Sequence, residues 1–333
     1  MTNEIQSFTR EIAGKLIEIE TGLLAQQAAA SCTIRIGDTI LLVTLADGEP
    51  RAGIDFFPLT VDFEERMYAI GKIPGSFFRR EGRPSTDATL AARMTDRPIR
   101  PLFPKGFKRE IHLVCTLLSA DRENPAEALA TTGASTVLGL SHIPFEGPVS
   151  SVRIGRVDGD LVIFPTYQQL EESDLDLTVA GTDASVVMLE AGANEVPEDD
   201  IIEAIDFGME AVRELNALQN EIAAALGKPK MPFEPAAKDE ELATKVREAL
   251  EGRDRELLDL VKADGWRGID ALGDGVHTQI GGEESGYDTR TVRAATEAAL
   301  KEFVRARILK ENLRADDRPE ESIRQLTARV GVL

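Results

Sequence analysis

The sequence predicts a layered α/β (α+β) core followed by a small all-α domain. Short β-branched and aliphatic runs recur through the first part of the chain. Helical spacing, as at Thr86–Arg97, interrupts them, and alternating strands and helices imply layers packed on a common core. From Pro197 onward the apolar positions fall mainly on helical stripes.

In chain order, Lys15–Glu20, Cys32–Ile36, Thr39–Leu45 and Phe56–Phe63 read as strands, with Gly37-Asp38 as a hairpin turn. Ser85, Thr86 and Asp87 offer an N-cap for the helix at Thr86–Arg97, and Pro98 and Pro101 are expected to stop it. The continuous apolar run Ile111–Ser119 predicts a strand buried on both faces. Pro125–Leu140 reads as an Ala-rich helix, and Val149–Ile163 as a hairpin turning at Asp158-Gly159. Leu175–Gly181 and Ser185–Glu190 read as further strands. Ile201, Ile205, Val212, Leu215, Leu218 and Ile222 form a helical stripe ending near Gly227. The three prolines of Lys228–Ala237 suggest a linker. Two amphipathic helices, Glu240–Asp264 and Arg290–Leu313, are expected around a Gly-rich loop at Gly265–Gly286, and Ser322–Leu333 turns strand-like again. The domain boundaries are therefore placed at 1–145, 146–228, 229–238, 239–313 and 314–333, with a further domain expected after the last.

The length, 333 residues, suits two or three domains, and 42% hydrophobic residues can fill their cores. No apolar run reaches the roughly 18–20 residues of a membrane span, and the N-terminus lacks a secretory signal. Cys32 and Cys115 lie in strand-like runs and read as buried reduced thiols, which points to the cytoplasm. His112, His142 and His277 have no ligand partners at metal-site spacing.

The net charge is −20, yet Lys72–Arg109 holds ten Lys or Arg against Glu81, Asp87 and Asp96. Positive charge concentrated on an acidic chain marks where a polyanion goes. Phe77 and Phe78 stand beside Arg79, Arg80 and Arg83 between Gly75 and Gly82, a segment read as a loop. Aromatic faces next to guanidinium groups suit single-stranded nucleic acid, whose bases stack while its phosphates pair. Arg93 and Arg97 share a helix face and, with Arg100, form a second basic set. The opposite bias appears in Glu171–Glu203, with eleven acids and no base, read as a solvated outer face.

The runs FFRREGRPS (Phe77–Ser85) and RPIRPLFP (Arg97–Pro104) resemble the N-terminal half of bacterial polynucleotide phosphorylases. IETGLLAQQA (Ile19–Ala28), DFFPLTVDFEER (Asp55–Arg66) and LDLTVAGT (Leu175–Thr182) extend the likeness. The resemblance implies a first ribonuclease PH-like core, a helical domain, and the start of a second such core at Arg314–Arg318. There Asp317 replaces a usual glycine. It also implies a homotrimer around an RNA channel and RNA-degradation partners. Phe77, Phe78, Arg79, Arg80 and Arg83 would line the entrance constriction, with Arg97 and Arg100 further along the strand. The family reaction is phosphorolysis: inorganic phosphate attacks the 3′-terminal linkage of RNA and releases a nucleoside diphosphate, assisted by a divalent metal such as Mg2+.

The groups that an active core of this family uses are mostly replaced here. Pro125-Ala126-Glu127 stands where serines would precede Gly133-Ala134-Ser135. Asp176 keeps one acidic position, Thr178 replaces a lysine and Leu170 an aspartate. The expectation is a core without catalytic or metal-binding residues, Asp176 being a remnant, and an active site in a later second core. A finished, non-catalytic RNA-binding and assembly module is the alternative reading.

Overall fold

The computed structural model describes residues 5–332 except 51–53, 55, 76, 236–238 and 265–267. Asp55, the end of the expected linker, the start of the Gly-rich loop and Leu333 therefore lie outside the described residues. The chain divides into two compact units, Met1–Pro235 and Ala236–Leu333.

In the first unit, β1 (Gln6–Ile12), β2 (Lys15–Thr21), β3 (Ala30–Ile36), β4 (Thr39–Gly48), β5 (Leu59–Glu64) and β6 (Glu110–Ser119) form one sheet, ordered β1-β2-β3-β4-β6-β5. Only the β5–β6 pair is parallel. Gly37-Asp38 joins β3 to β4 as expected, with Gly37 at φ +58. β6 differs from its reading. Ile111, Leu113 and Cys115 are buried while His112 faces solvent, so β6 sits inside the sheet but packs chiefly through one face. A second, antiparallel sheet contains β7 (Ser150–Val157), β8 (Asp160–Ile163), β9 (Leu175–Gly181) and β10 (Val186–Ala193), ordered β10-β9-β7-β8. Its β7–β8 turn places Asp158 at φ +53 and Gly159 at φ +88, the backbone that a tight Asp-Gly hairpin requires.

Between these elements lie α1 (Thr86–Ile99), α2 (Ala130–Leu140), α3 (Tyr167–Glu172) and α4 (Glu198–Leu226). The Ser85 hydroxyl accepts from the Ala88 N–H at 2.9 Å to cap α1. Pro98 lies inside the last turn, so α1 runs one residue past it before a 3-10 turn at Arg100–Leu102. α2 is buried along almost its whole length, which its small residues permit: a Cβ on Gly133 would come within 2.7 Å of Val43. α4 starts with Glu198, Asp199 and Asp200 at its positive end and packs Ala204, Val212, Leu215 and Ile222 inward.

The segment read as a linker is held to this unit at least as far as Phe233. Met231 N–H donates to His142 O at 2.7 Å, and Phe233 stacks edge-on against Phe107. The Lys230 ammonium donates to the carbonyls of Leu138, Gly139 and Ser141 at 2.7, 3.0 and 2.7 Å, closing the C-terminus of α2. Burial of that ammonium pushes its pKa down to about 8.

The second unit is helical: α5 (Glu240–Leu250), α6 (Asp254–Asp264), α7 (Ile269–Gln279) and α8 (Thr289–Glu311). Two expectations change here. Glu240–Asp264 is two helices, broken where Gly252 takes φ +75, and the Gly-rich loop contains α7. Gly273 explains the second difference, because a Cβ there would meet the Arg293 backbone at 2.9 Å, so glycine lets α7 approach α8. Asp317 adopts φ +62 despite being a non-glycine. Arg307 at 2.6 Å and a very short contact from Lys262 hold its carboxylate. The strand-like end 322–332 forms no strand among the described residues, and Ile323 and Leu326 stand exposed.

Candidate nucleic-acid interface

The basic island splits into two halves with different fates. From Phe77 to Arg83 it is an irregular loop, with Arg79 in the left-handed region at φ +52. Phe77 is 94% exposed and Phe78 78%, their rings meeting edge to face at 5.5 Å. Among the described residues, Arg79, Arg80, Arg83 and Arg93 have no ion-pair or hydrogen-bond partner, and all four are exposed. Glu81 anchors the loop, its Oε1 accepting from Met67 N–H at 3.0 Å. The Ser85 hydroxyl does the same through Glu65 at 2.7 Å. These ties hold the C-terminal side of the loop and leave two aromatic faces and three guanidinium groups in solvent, an arrangement suited to stacking bases and pairing phosphates.

Further along the island, Arg97 and Arg100 are also exposed, but each is held by partners within the chain. Arg97 pairs with Glu190 of β10 at 2.7 Å. Arg100 grips Asp96 through two hydrogen bonds and also donates to the carbonyls of Phe57 and Leu59, each at 3.1 Å. Phe103 of the same motif is buried against Phe57, Phe107 and Phe145. Most of RPIRPLFP therefore holds the segment before β5 against the core.

Near α1, a cavity of about 510 Å³ brings together Glu127, Asp176 and Thr178, but Leu170 does not line it. Arg153 on β7, which the sequence reading did not single out, also lines it. Register places Arg153 opposite Thr178 and two residues from the partner of Asp176, on one face of the sheet. Its Nε and Nη2 donate to both Asp176 oxygens at 2.8 and 2.7 Å, while Nη1 donates to Glu127 at 2.6 Å. Burial opposes its charge, but Asp176 and Glu127 outweigh burial and hold its pKa above the usual value. Burial and the nearby Glu127 push Tyr167 on the wall up to about 12. Arg153 was legible only as a charge inside an apolar strand, since its partner lies on another strand.

As arranged, these residues fit neither phosphate nor a divalent cation. The guanidinium that could attract phosphate is committed to carboxylates, and both oxygens of Asp176 are already accepting. Other acids of the 171–203 run are also paired, Arg156 holding Asp174 at 2.5 Å and making a short contact to Asp200. The run is therefore partly an ion-pair network rather than a purely solvated face. Cys32 and Cys115 are both free and buried, and burial pushes both thiols up, Cys115 to about 12.

Comparison with known proteins agrees with the layered fold. Family profiles described as "3' exoribonuclease family, domain 1" and "domain 2" match residues 13–144 and 147–211. The chain belongs to the 3′ exoribonuclease family. It is 46% identical over 338 residues to polyribonucleotide nucleotidyltransferase of Heliobacterium modesticaldum, covering 99% of this chain and 46% of that one. The corresponding protein of Geobacillus kaustophilus is 44% identical over 335 residues, covering 100% and 46%. The chain thus spans about half the length of these curated relatives, and the resemblance read from its motifs holds. Rice Rrp46 shares the fold at a TM-score of 0.50 and 11% identity, over 67% of this chain and 96% of that one. No helix among the described residues is long and apolar enough to cross a membrane.

Proposed function

We propose that this chain is the RNA-guiding part of a phosphate-dependent 3′-to-5′ exoribonuclease that releases nucleoside diphosphates during RNA degradation. Its own core does not catalyse. The observation that carries this reading is the contrast between two sets of arginines. Those at 79, 80, 83 and 93 are exposed and unpaired among the described residues, whereas Arg153 in the pocket is neutralised by Asp176 and Glu127. Phe77 and Phe78 stack bases, and Arg79, Arg80, Arg83 and Arg93 pair phosphates. Arg97 and Arg100, exposed and each paired with a carboxylate, contact the backbone further along the strand.

In the same reading, inorganic phosphate and Mg2+ act in a second core of the longer protein, which assembles as a cytoplasmic homotrimer around an RNA channel and meets other RNA-degrading proteins. The likeness to polyribonucleotide nucleotidyltransferases supports this. The neutralised pocket would equally suit a non-catalytic RNA-binding and assembly module, and the same likeness favours the enzyme.

The test is phosphorolysis by the 333-residue chain. End-labelled single-stranded RNA with phosphate and Mg2+ should yield no nucleoside diphosphate above background. Phosphate-dependent turnover abolished by Asp176→Asn would overturn the assignment.

A further inference from the structure

The second unit carries a groove that RNA guidance does not use. It measures about 500 Å³ and lies where the α5–α6 turn meets α8. Leu250 and Leu257 are buried in its floor, beside the half-buried ring of Phe303. Four carboxylates, Glu248, Glu251, Asp254 and Glu302, stand around it against one cation, Arg247. Among the described residues none of the four is paired with a cation. Leu309, seven residues beyond Glu302 and so on the same face of α8, is 69% exposed and extends the apolar strip.

An apolar floor with an unneutralised acidic rim selects its occupant by charge. RNA is excluded because the rim repels phosphates. A second copy of the same surface is disfavoured because two acidic rims would face each other. The α8 wall from Ala299 to Ala306 rises about 10 Å, enough for about two helical turns of a ligand. We propose that the groove docks a short basic amphipathic helix of a partner protein, with apolar side chains at i, i+4 and i+7 on the floor and Lys or Arg against the rim.

The probe is a fluorescein-labelled peptide of about 14 residues, about two turns longer at its ends than the groove, with leucine at that spacing and lysine elsewhere. Fluorescence anisotropy against the 333-residue chain should show saturable binding. Glu248→Lys with Glu302→Lys should weaken it about tenfold or more. The same charge change placed elsewhere, Glu171→Lys with Glu172→Lys, should alter it less than about twofold. Ala306→Trp, at an exposed position, should fill the groove and abolish binding with melting temperature unchanged. Equal loss from both charge-reversed pairs would mean general attraction to an acidic chain and overturn the proposal. Undiminished binding by Ala306→Trp, displacement of the peptide by single-stranded RNA, or a self-association removed by the Glu302→Lys change would each overturn it as well.

Discussion

Arg153 on β7 holds both carboxylate oxygens of Asp176 on β9, at 2.8 and 2.7 Å, and spends its remaining amino group on Glu127. The pocket at this position is therefore closed electrostatically by its own residues. Arg153→Ala should leave two acids facing each other and destabilise the chain by about 1–3 kcal/mol in urea titrations. Adding Glu127→Gln and Asp176→Asn should recover part of the loss, because the uncompensated charges disappear with their partner. A triple variant no more stable than the single one would contradict the lock.

Asp121 ties the β3–β4 turn to the loop after β6. It accepts from Thr39, from the N–H groups of Glu123 and Asn124, and from the Asn124 side chain. Burial opposes its charge, but these hydrogen bonds prevail and hold its pKa well below the usual 3.8. A lowered folded-state pKa contributes stability above the unfolded value and loses it as pH falls toward the folded one. Asp121→Ala should cost about 1–3 kcal/mol at neutral pH, with the gap to wild type narrowing below about pH 4. A gap independent of pH would exclude the ionised hydrogen-bond network as its source.

Gly133→Ala should destabilise the first unit by about 1–3 kcal/mol, since the new methyl would lie 2.7 Å from Val43 and 3.2 Å from Ile34 inside the core. Chemical denaturation measures it, and a neutral result would show that α2 can move away from the sheet.

Lys230→Met should leave the Gly139 and Ser141 carbonyls without the ammonium, while Leu138 keeps the Ser141 hydroxyl as donor, at a cost of about 1–3 kcal/mol by thermal or urea unfolding. A variant as stable as wild type would mean water replaces the ammonium without loss.

The fold was readable in the sequence chiefly at its turns. Both Asp- and Gly-containing hairpins were visible because positive φ demands those residues at Gly37, Asp158 and Gly159. The edge strand β1 was missed because QSFTREI has few apolar side chains. α7 was missed because its glycines lower helix propensity, although Gly273 is there for close packing against α8. At the candidate interface, the loop from Phe77 to Arg83 was legible since exposure, charge and aromaticity coincide along the chain. The pairings of Arg97 and Arg153 were not, because Glu190, Asp176 and Glu127 come from distant segments, whereas Arg100 finds Asp96 one helical turn away.

The salt dependence of RNA binding tests the central claim most directly. With unstructured RNA, wild type should show a linear fall of log affinity against log salt, at about −0.7 per phosphate contacted. Arg79→Asp with Arg80→Asp should weaken binding and flatten that slope, while Phe77→Ala should cost about 1–3 kcal/mol of affinity and leave the slope unchanged. Affinity and slope identical to wild type in the arginine pair would contradict the assignment of this loop as the place where the chain grips RNA.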